Sequence, residues 1–236
     1  MKRSATLTAI AILTLQVAVP AFGTTTFGVG VDYVTGPLAQ SSRDVLGFAV
    51  TSWKGKDLTV AAARFDHSDL GPGTIGSAAL GLPLSSTASV QISGARTAGD
   101  EAYRAWLFQA GPLFAIGGGR TLGILYTRAG NTLGPGSTGL SSEVGVPLST
   151  VVNLSGRGSV ASVEGGGTSL QGAVGLIWGL SRRVVLLGEV GRGRDVTAIA
   201  QGNPLQTGFP STASQLGQTD YVSGSSLQVG LRYVVH

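Results

Sequence analysis

The stretch Tyr221-Val-Ser-Gly-Ser-Ser-Leu-Gln-Val-Gly-Leu-Arg-Tyr-Val-Val235 alternates between two kinds of residue. Positions 227, 229, 231, 233 and 235 carry Leu, Val or Tyr, whereas Gln228, Gly230 and Arg232 stand between them. A period of two residues indicates a β-strand whose two faces meet different surroundings. Lipid against one face and a polar interior against the other produce this pattern, and so does a soluble β-sandwich. The stretch therefore predicts a strand and leaves both kinds of fold open.

The same alternation recurs at 27–33, 140–148 and 170–178. In 58–66 and 121–129 the residues leave open which face is which. Division of the chain at its turn-forming residues predicts about twelve strands, and ten or fourteen fit as well. The predicted strands are 25–34, 44–53, 57–66, 74–83, 87–96, 102–115, 120–129, 139–148, 151–158, 168–178, 183–192 and 220–235.

The N-terminal residues have the pattern of an export signal. Lys2 and Arg3 precede a mostly apolar run from Ala5 to Val19, and Ala21-Phe22-Gly23 offers small residues to a signal peptidase. A retained membrane anchor and a buried helix are the alternatives, but the run is short for a membrane span. We therefore expect a signal peptide at 1–23 and a mature chain at 24–236.

The composition indicates that apolar surface meets something other than water. Hydrophobic residues make up 42% of the chain and charged residues only 12%, with 38 Gly and a mean hydropathy of +0.29. Beyond the signal, however, no run of about 18 residues is apolar throughout, which argues against a helical membrane protein. The chain has no cysteine, and its basic residues are dispersed, so neither a disulfide framework nor a nucleic-acid partner is expected.

The predicted links between strands alternate in length, as they do in bacterial outer-membrane barrels. Short links are expected at 54–56, 85–87, 117–119, 149–150 and 179–181. Longer links are expected at 35–43, 67–73, 130–138, 159–167 and 193–219, with 97–101 shorter than its class requires. The segment 193–219 is the longest, and the sequence leaves open whether it enters the barrel or projects outward.

Aromatic residues lie near the predicted strand ends, where Trp and Tyr of a membrane protein meet the water interface. An ordinary soluble β-protein core is the alternative interpretation. The predicted interface girdle consists of Tyr33, Trp53, Trp106, Tyr126, Trp178, Tyr221 and Tyr233, and Tyr103 is expected at the same outer rim as Tyr33 and Trp106.

Polar residues on the opposite faces of the predicted strands are candidates for the lining of the barrel interior. They stand among many Gly, Ala and Ser residues, whose small side chains leave space. Either a narrow aqueous path or a hydrogen-bonded network that fills the barrel fits this composition. The lumen-lining candidates are Asp32, Glu143, Gln171, Glu189, Gln228 and Arg232.

With these features the mature chain resembles the outer-membrane β-barrels of Gram-negative bacteria. The ending Val229-Gly-Leu-Arg-Tyr-Val-Val-His236 is similar to the last strand that the barrel-assembly machinery reads, although His replaces the usual final Phe. The stretch from Val174 to Glu189 is similar to a hairpin of transporter barrels named after the meta-cleavage pathway of phenol degradation. The resemblance implies the outer membrane as location, with its lipid and lipopolysaccharide and the assembly machinery as partners.

Catalytic and metal-binding motifs receive little support from the sequence. His67, in Asp66-His67-Ser68-Asp69, is the one histidine away from the C-terminus, and sequence neighbours seldom form a catalytic triad. The chain has no HExxH motif, no calcium loop and no phosphate-binding loop. No catalytic residue, metal or cofactor is therefore predicted.

The sequence thus predicts an all-β, transmembrane, antiparallel up-and-down β-barrel in one domain. The leading hypothesis for its function is a passive channel or transporter for small solutes. A closed barrel with a structural or surface-binding role is the second hypothesis, and a lipid-modifying or proteolytic barrel that uses His67 is the third.

Overall fold

A computed structural model describes residues 25–35, 42–53, 56–67, 71–99, 103–132, 136–164, 167–195 and 222–235. The expected signal peptide, Tyr221 and most of the link 193–219 lie outside the described residues, as do the side chains of Trp53 and His67. Among the described residues, no helix has the length and apolar character needed to cross a membrane.

The described residues form strands that follow one another along the chain. Their bounds are β1 (Thr25–Thr35), β2 (Ser42–Trp53), β3 (Lys56–His67), β4 (Gly71–Pro83), β5 (Ala88–Gly99), β6 (Arg104–Gly117), β7 (Arg120–Asn131), β8 (Ser137–Pro147), β9 (Val152–Val163), β10 (Thr168–Gly179), β11 (Val184–Asp195) and β12 (Val222–Val235).

These strands close into a barrel. Each pairs antiparallel with its neighbours in sequence, and β1 pairs with β12 from Phe27↔Val235 to Thr35↔Leu227. Closure leaves no strand edge without a partner, which is the condition for a sheet in lipid. The predicted all-β, up-and-down barrel of about twelve strands is confirmed.

Several strands run further than predicted, so the expected long links are shorter. β5 continues to Gly99, β9 to Val163 and β11 to Asp195, which reduces two links to 100–103 and 164–167. The prediction treated small and polar residues as turns, but the backbone ladder needs no particular side chain to continue. The expected loop 67–73 is likewise too long, because β4 begins at Gly71. Pro72 of β4 lies beyond the last residue pair between β4 and β5, where its missing N–H is tolerated.

Residue pairing decides the two segments whose faces the sequence left open. Directly paired residues share a face, so the inward Asp44 places Phe65 of β3 inward and the outward Val45 places Arg64 outward. On β7, Leu125 is fully buried and faces inward, while Ile124 and Tyr126 face outward.

Large side chains on the barrel are repeatedly paired with glycine. In each case a Cβ added to the glycine would collide with the large side chain, so the glycine provides the space that the side chain occupies. The pairs are Gly28↔Phe48, Gly30↔Arg232, Phe65↔Gly73, Trp106↔Gly130 and Leu113↔Gly123. This pairing accounts for part of the high glycine content of the chain.

Apolar residues cover the outward face between two charged rims. Val29 and Val174, at mid-strand, are 51% and 58% exposed, which is costly in water and favourable in lipid. On β3 the outward charges Lys56 and Arg64 stand eight residues apart, and on β7 so do Arg120 and Arg128. At about 3.3 Å per residue and a tilt of about 40°, eight residues span roughly 20 Å along the barrel axis. This height is close to the apolar band of membrane barrels.

An arginine on the outward face should therefore destabilise the barrel more than one on the inward face. We expect Leu176→Arg, within the apolar belt, to lower the free energy of unfolding by about 2–4 kcal/mol. Ser155→Arg is the matched control, since Ser155 faces inward between Gly145 and Gly175, and we expect less than about 1 kcal/mol there. Urea unfolding in lipid vesicles measures both, and equal losses would contradict the assignment of faces.

Candidate functional site

The barrel interior has two unlike sides. The first, which we call the packed wall, comprises the inward faces of β11, β12 and β1 to β4. Its apolar residues form one cluster in the interior, namely Leu46, Phe48, Ala61, Ala79, Val185, Leu187 and Val234. Each is at most 9% exposed. Apolar side chains thus fill a large part of this wall, although Leu187 of the cluster also lines the cavity described below.

A buried ion pair stands on the packed wall where the first and last strands meet. Two guanidinium nitrogens of Arg232 donate to the two carboxylate oxygens of Asp32, each at 2.6 Å, and both side chains are only 1% exposed. Nη1 of Arg232 also donates to the carbonyl of Val31 at 3.2 Å. This two-pronged geometry is the strongest arrangement that the two groups form. The pair joins β12 to β1.

The pair fits because glycines flank it. A Cβ on Gly230 would overlap a carboxylate oxygen of Asp32, and one on Gly30 would press on Cδ of Arg232. Asp44 of β2 pairs directly with Asp32 and is also 1% exposed, so a second carboxylate is buried beside the pair.

The second side of the interior, which we call the open wall, comprises the inward faces of β8, β9 and β10. Between its two ends this wall carries mostly Gly, Ser and Ala, for instance Gly139, Ser141 and Gly145 on β8. A cavity of about 190 Å³ lies against it, and Ser155, Gly175 and Gln228 are among the residues that line it. The interior is therefore accessible on this side.

Charged groups line this cavity. Nη2 of Arg157 on β9 lies 2.5 Å from Oε1 of Glu189 on β11, and Glu143 on β8 is the direct cross-strand partner of Arg157. The side chains of Arg157 and Glu189 are 25% and 17% exposed, in contrast to the buried pair on the packed wall. Solvent therefore reaches this ion pair inside the barrel.

A row of uncharged polar groups borders the open wall. Nε2 of Gln109 lies 3.3 Å from the Thr127 hydroxyl and 3.4 Å from that of Ser141, and the two hydroxyls are 3.2 Å apart. These groups add hydrogen-bonding capacity without adding charge.

All six predicted lumen-lining residues lie on the inward face, but in two groups. Asp32 and Arg232 form the buried pair, whereas Glu143, Glu189 and Gln228 line the cavity. Gln171 lies on the inward face of the open wall. Sequence reasoning missed Asp44, Gln91, Gln109 and Arg157. The signal for Arg157 was present, because its strand was predicted and its neighbours alternate, but its cross-strand partner Glu143 becomes visible only with the register.

The predicted girdle residues that the structure describes lie on the outward face. Tyr33 lies near the end of β1 and Trp106 near the start of β6, at the end of the barrel that carries the links 36–41 and 196–221. Tyr126 lies two residues from Arg128 on β7, toward the middle of the strand. Trp178 and Tyr233 lie toward the opposite end, where Nη1 of Arg183 donates to the Tyr233 hydroxyl at 3.3 Å.

Tyr103 lies at the expected end of the barrel, but its expected place at the lipid interface is wrong. This residue precedes β6 and is 1% exposed, so it does not lie at the lipid interface. Burial raises the pKa of its hydroxyl above the ordinary value, and the side chain therefore stays neutral. Tyr103 occupies the inward row of residues because it continues the alternation of Ala105 and Leu107.

The catalytic alternative that uses His67 depends on a side chain outside the described residues. Asp66 is outward and exposed, and the His67 side chain lies outside the described residues. In the described part of the chain, no three His, Cys, Asp or Glu side chains form a group that could hold a metal ion.

The same fold occurs in outer-membrane porins and channels of known structure. The KdgM porin in complex with disordered oligogalacturonate superimposes with a TM-score of 0.64 and 8% identity over 89% of this chain and 99% of that porin. The NanC porin gives 0.59 and 9% over 88% and 98%, and an outer-membrane channel from Pseudomonas putida F1 gives 0.56 and 12% over 92% and 96%. No protein-family profile and no curated sequence matches the chain.

At these identities the likeness concerns the fold, and the chain has the closed-barrel fold of porin-type outer-membrane proteins. The predicted resemblance to outer-membrane barrels is thus confirmed at that level. The finer resemblance to transporter barrels of the meta-cleavage pathway stays a prediction.

The buried pair generates a quantitative prediction. Arg232→Ala leaves Asp32 buried beside Asp44 without its cation, and we expect it to lower the free energy of unfolding by about 3–5 kcal/mol. The double variant Asp32→Ala/Arg232→Ala removes both charges, so we expect it to be more stable than Arg232→Ala alone. Urea unfolding in vesicles measures the free energy of unfolding of Arg232→Ala, Asp32→Ala and the double variant. If the loss in the double variant equals the sum of the two single losses, the two groups do not interact.

Proposed function

We propose that the chain is a passive outer-membrane channel for small hydrophilic solutes that are neutral or positively charged. The observation that carries the proposal is the open wall, whose small residues leave a solvent-reached cavity around Arg157 and Glu189. A closed barrel with one polar, accessible wall offers a solute hydrogen bonds in place of water while its outward face stays in lipid.

The charge of the interior supports the sign of the preference. Among the inward side chains that the structure describes, two are arginines, Arg157 and Arg232. Five are carboxylates, namely Asp32, Asp44, Asp57, Glu143 and Glu189. The formal excess is therefore negative. A low-dielectric wall concentrates this field and favours cations in a narrow path.

The cavity of about 190 Å³ against the open wall has room for several water molecules, so hydrophilic solutes are able to exchange water for wall groups there. The KdgM porin binds oligogalacturonate, a chain of sugar acids with a carboxylate on each unit. The acidic interior argues against the same ligand here.

The location in the bacterial outer membrane belongs to the same proposal. It is supported by the apolar belt, the closed sheet and the porin fold, and by the export signal expected at 1–23. A transport role related to the meta-cleavage transporter barrels is compatible with small solutes, and the identity of the solute is left open.

A closed barrel that stabilises the envelope is the second candidate. The packed wall favours it, because side chains fill that half of the interior and the Asp32–Arg232 pair is dry. The two functions differ in one observable, since a closed barrel folds but passes no ions.

Planar bilayers that contain the purified chain test the proposal. In a salt gradient we expect stepwise ionic currents and a reversal potential whose sign shows that cations pass more readily than anions. Glu143→Gln removes a cavity carboxylate without changing its size, and we expect the cation-to-anion permeability ratio to fall by roughly half.

Asp66→Asn is the matched control, because Asp66 carries the same charge on the outward face. We expect its permeability ratio to equal that of the unaltered chain. A folded barrel that shows a heat-dependent shift in gel mobility but no ion or solute flux would establish the closed barrel instead, and a preference for anions would overturn the charge argument.

A further inference from the structure

Arginines on the outward face are concentrated toward one end of the barrel. This outer end carries the link 196–221, and the termini of the barrel at Thr25 and Val235 mark the inner end. The outward arginines in the outer half of the strands are Arg43, Arg64, Arg96, Arg104, Arg128 and Arg192. In the described strands Asp66 is the one outward carboxylate. The channel function does not use this set.

Three of these arginines form a compact group on adjacent strands, which we call the β5–β7 arginine patch: Arg96, Arg104 and Arg128. Arg96 pairs directly with Trp106, and Arg128 pairs with Phe108. With about 4.8 Å between strands and 3.3 Å per residue, the three Cα positions lie within roughly 15 Å of one another. The outward residues of β4 to β8 include no carboxylate in the described part of the chain.

The patch lies at the upper edge of the apolar belt. Trp106 and Phe108 are 44% and 41% exposed and lie between the arginines, so lipid chains contact the rings while the guanidinium groups extend to the headgroup level. Arg104 donates to the carbonyls of Gly99 and Tyr103, which orients it at the rim. No described carboxylate forms an ion pair with Arg96 or Arg128.

We propose that the β5–β7 arginine patch binds the phosphates of lipopolysaccharide in the outer leaflet. Guanidinium groups match phosphate oxygens with two parallel hydrogen bonds. Several arginines within one headgroup width suit a lipid with two phosphates on one sugar headgroup better than a lipid with a single phosphate. The rings beneath them suit its acyl chains. The proposal rests on outer-membrane residence but not on ion flux.

Two other occupants compete for the patch. The link above it contains Asp100 and Glu101, which lie outside the described residues and are able to neutralise arginines. A second copy of the chain is the other competitor. If either of them occupies the patch, removal of the phosphates from the lipid should not change its binding to the chain.

The test measures binding of purified diphosphoryl lipid A to the full mature chain in detergent, by native mass spectrometry and a titration. We expect Arg96→Ala/Arg128→Ala to weaken binding at least tenfold, and we expect fully dephosphorylated lipid A to bind the unaltered chain and the variant equally weakly. Arg120→Ala is the matched control, because Arg120 is an outward arginine of β7 at the inner end. We expect its affinity to stay within twofold.

Equal loss in the Arg120 control, or affinity that does not depend on the phosphates, would overturn the proposal. A dimer that the double variant abolishes, with lipid binding unchanged, would also overturn it in favour of a protein contact.

A heat-dependent gel shift verifies that each variant is folded. If the double variant fails this check, the single variants Arg96→Ala and Arg128→Ala carry the same test, with about threefold effects expected. Ion flux measured in parallel separates this result from the channel proposal.

Discussion

A backbone inside a bilayer has no water to bond with, so every strand of this chain needs a partner strand on both sides. The pairing of β1 with β12 supplies the last of these partners and turns a sheet into a barrel. Once the sheet is closed, every residue must point either to the lipid or to the interior, and direct pairing transmits the choice from strand to strand. The apolar belt, the two walls and the positions of the charges all follow from this closure.

The strands and their faces could be predicted from the sequence because closure imposes a strict alternation. The C-terminal stretch places Leu227, Val229 and Leu231 on one face and Gln228 and Arg232 on the other, and the structure has the same arrangement. Strand ends were predicted less well. Gly71 and Gly73 resemble turn residues in sequence, yet they pair with His67 and Phe65, because a ladder of backbone bonds requires no side chain.

The division of the interior into a packed and an open wall could not be predicted from alternation. Both walls have inward rows of small residues, and the difference arises from what stands across from each glycine. Gly28 and Gly73 face phenylalanines that fill the space, whereas Gly145 and Gly175 face Ser155. Which residue stands opposite each glycine depends on the register between strands, and the alternation within one sequence does not reveal that register. For the same reason the ion pair of Arg157 with Glu189 emerged only from the fold.

The two walls give the barrel different mechanical roles. The packed wall contains close contacts among side chains from five strands, and close packing resists deformation. The open wall carries mostly small side chains, and its Arg157 forms a solvent-reached ion pair with Glu189 of the neighbouring strand β11. A barrel built in this way is held by close packing along one wall and keeps space beside the other.

The Asp32–Arg232 pair joins residues that are 200 positions apart. Its two charges therefore belong to the first and last strands of the barrel, and they meet where the pairing of these strands closes the sheet. A sheet in which these two strands are unpaired lacks this contact. The ion pair thus marks closure of the sheet, and a substitution in either the first or the last strand acts on the same contact.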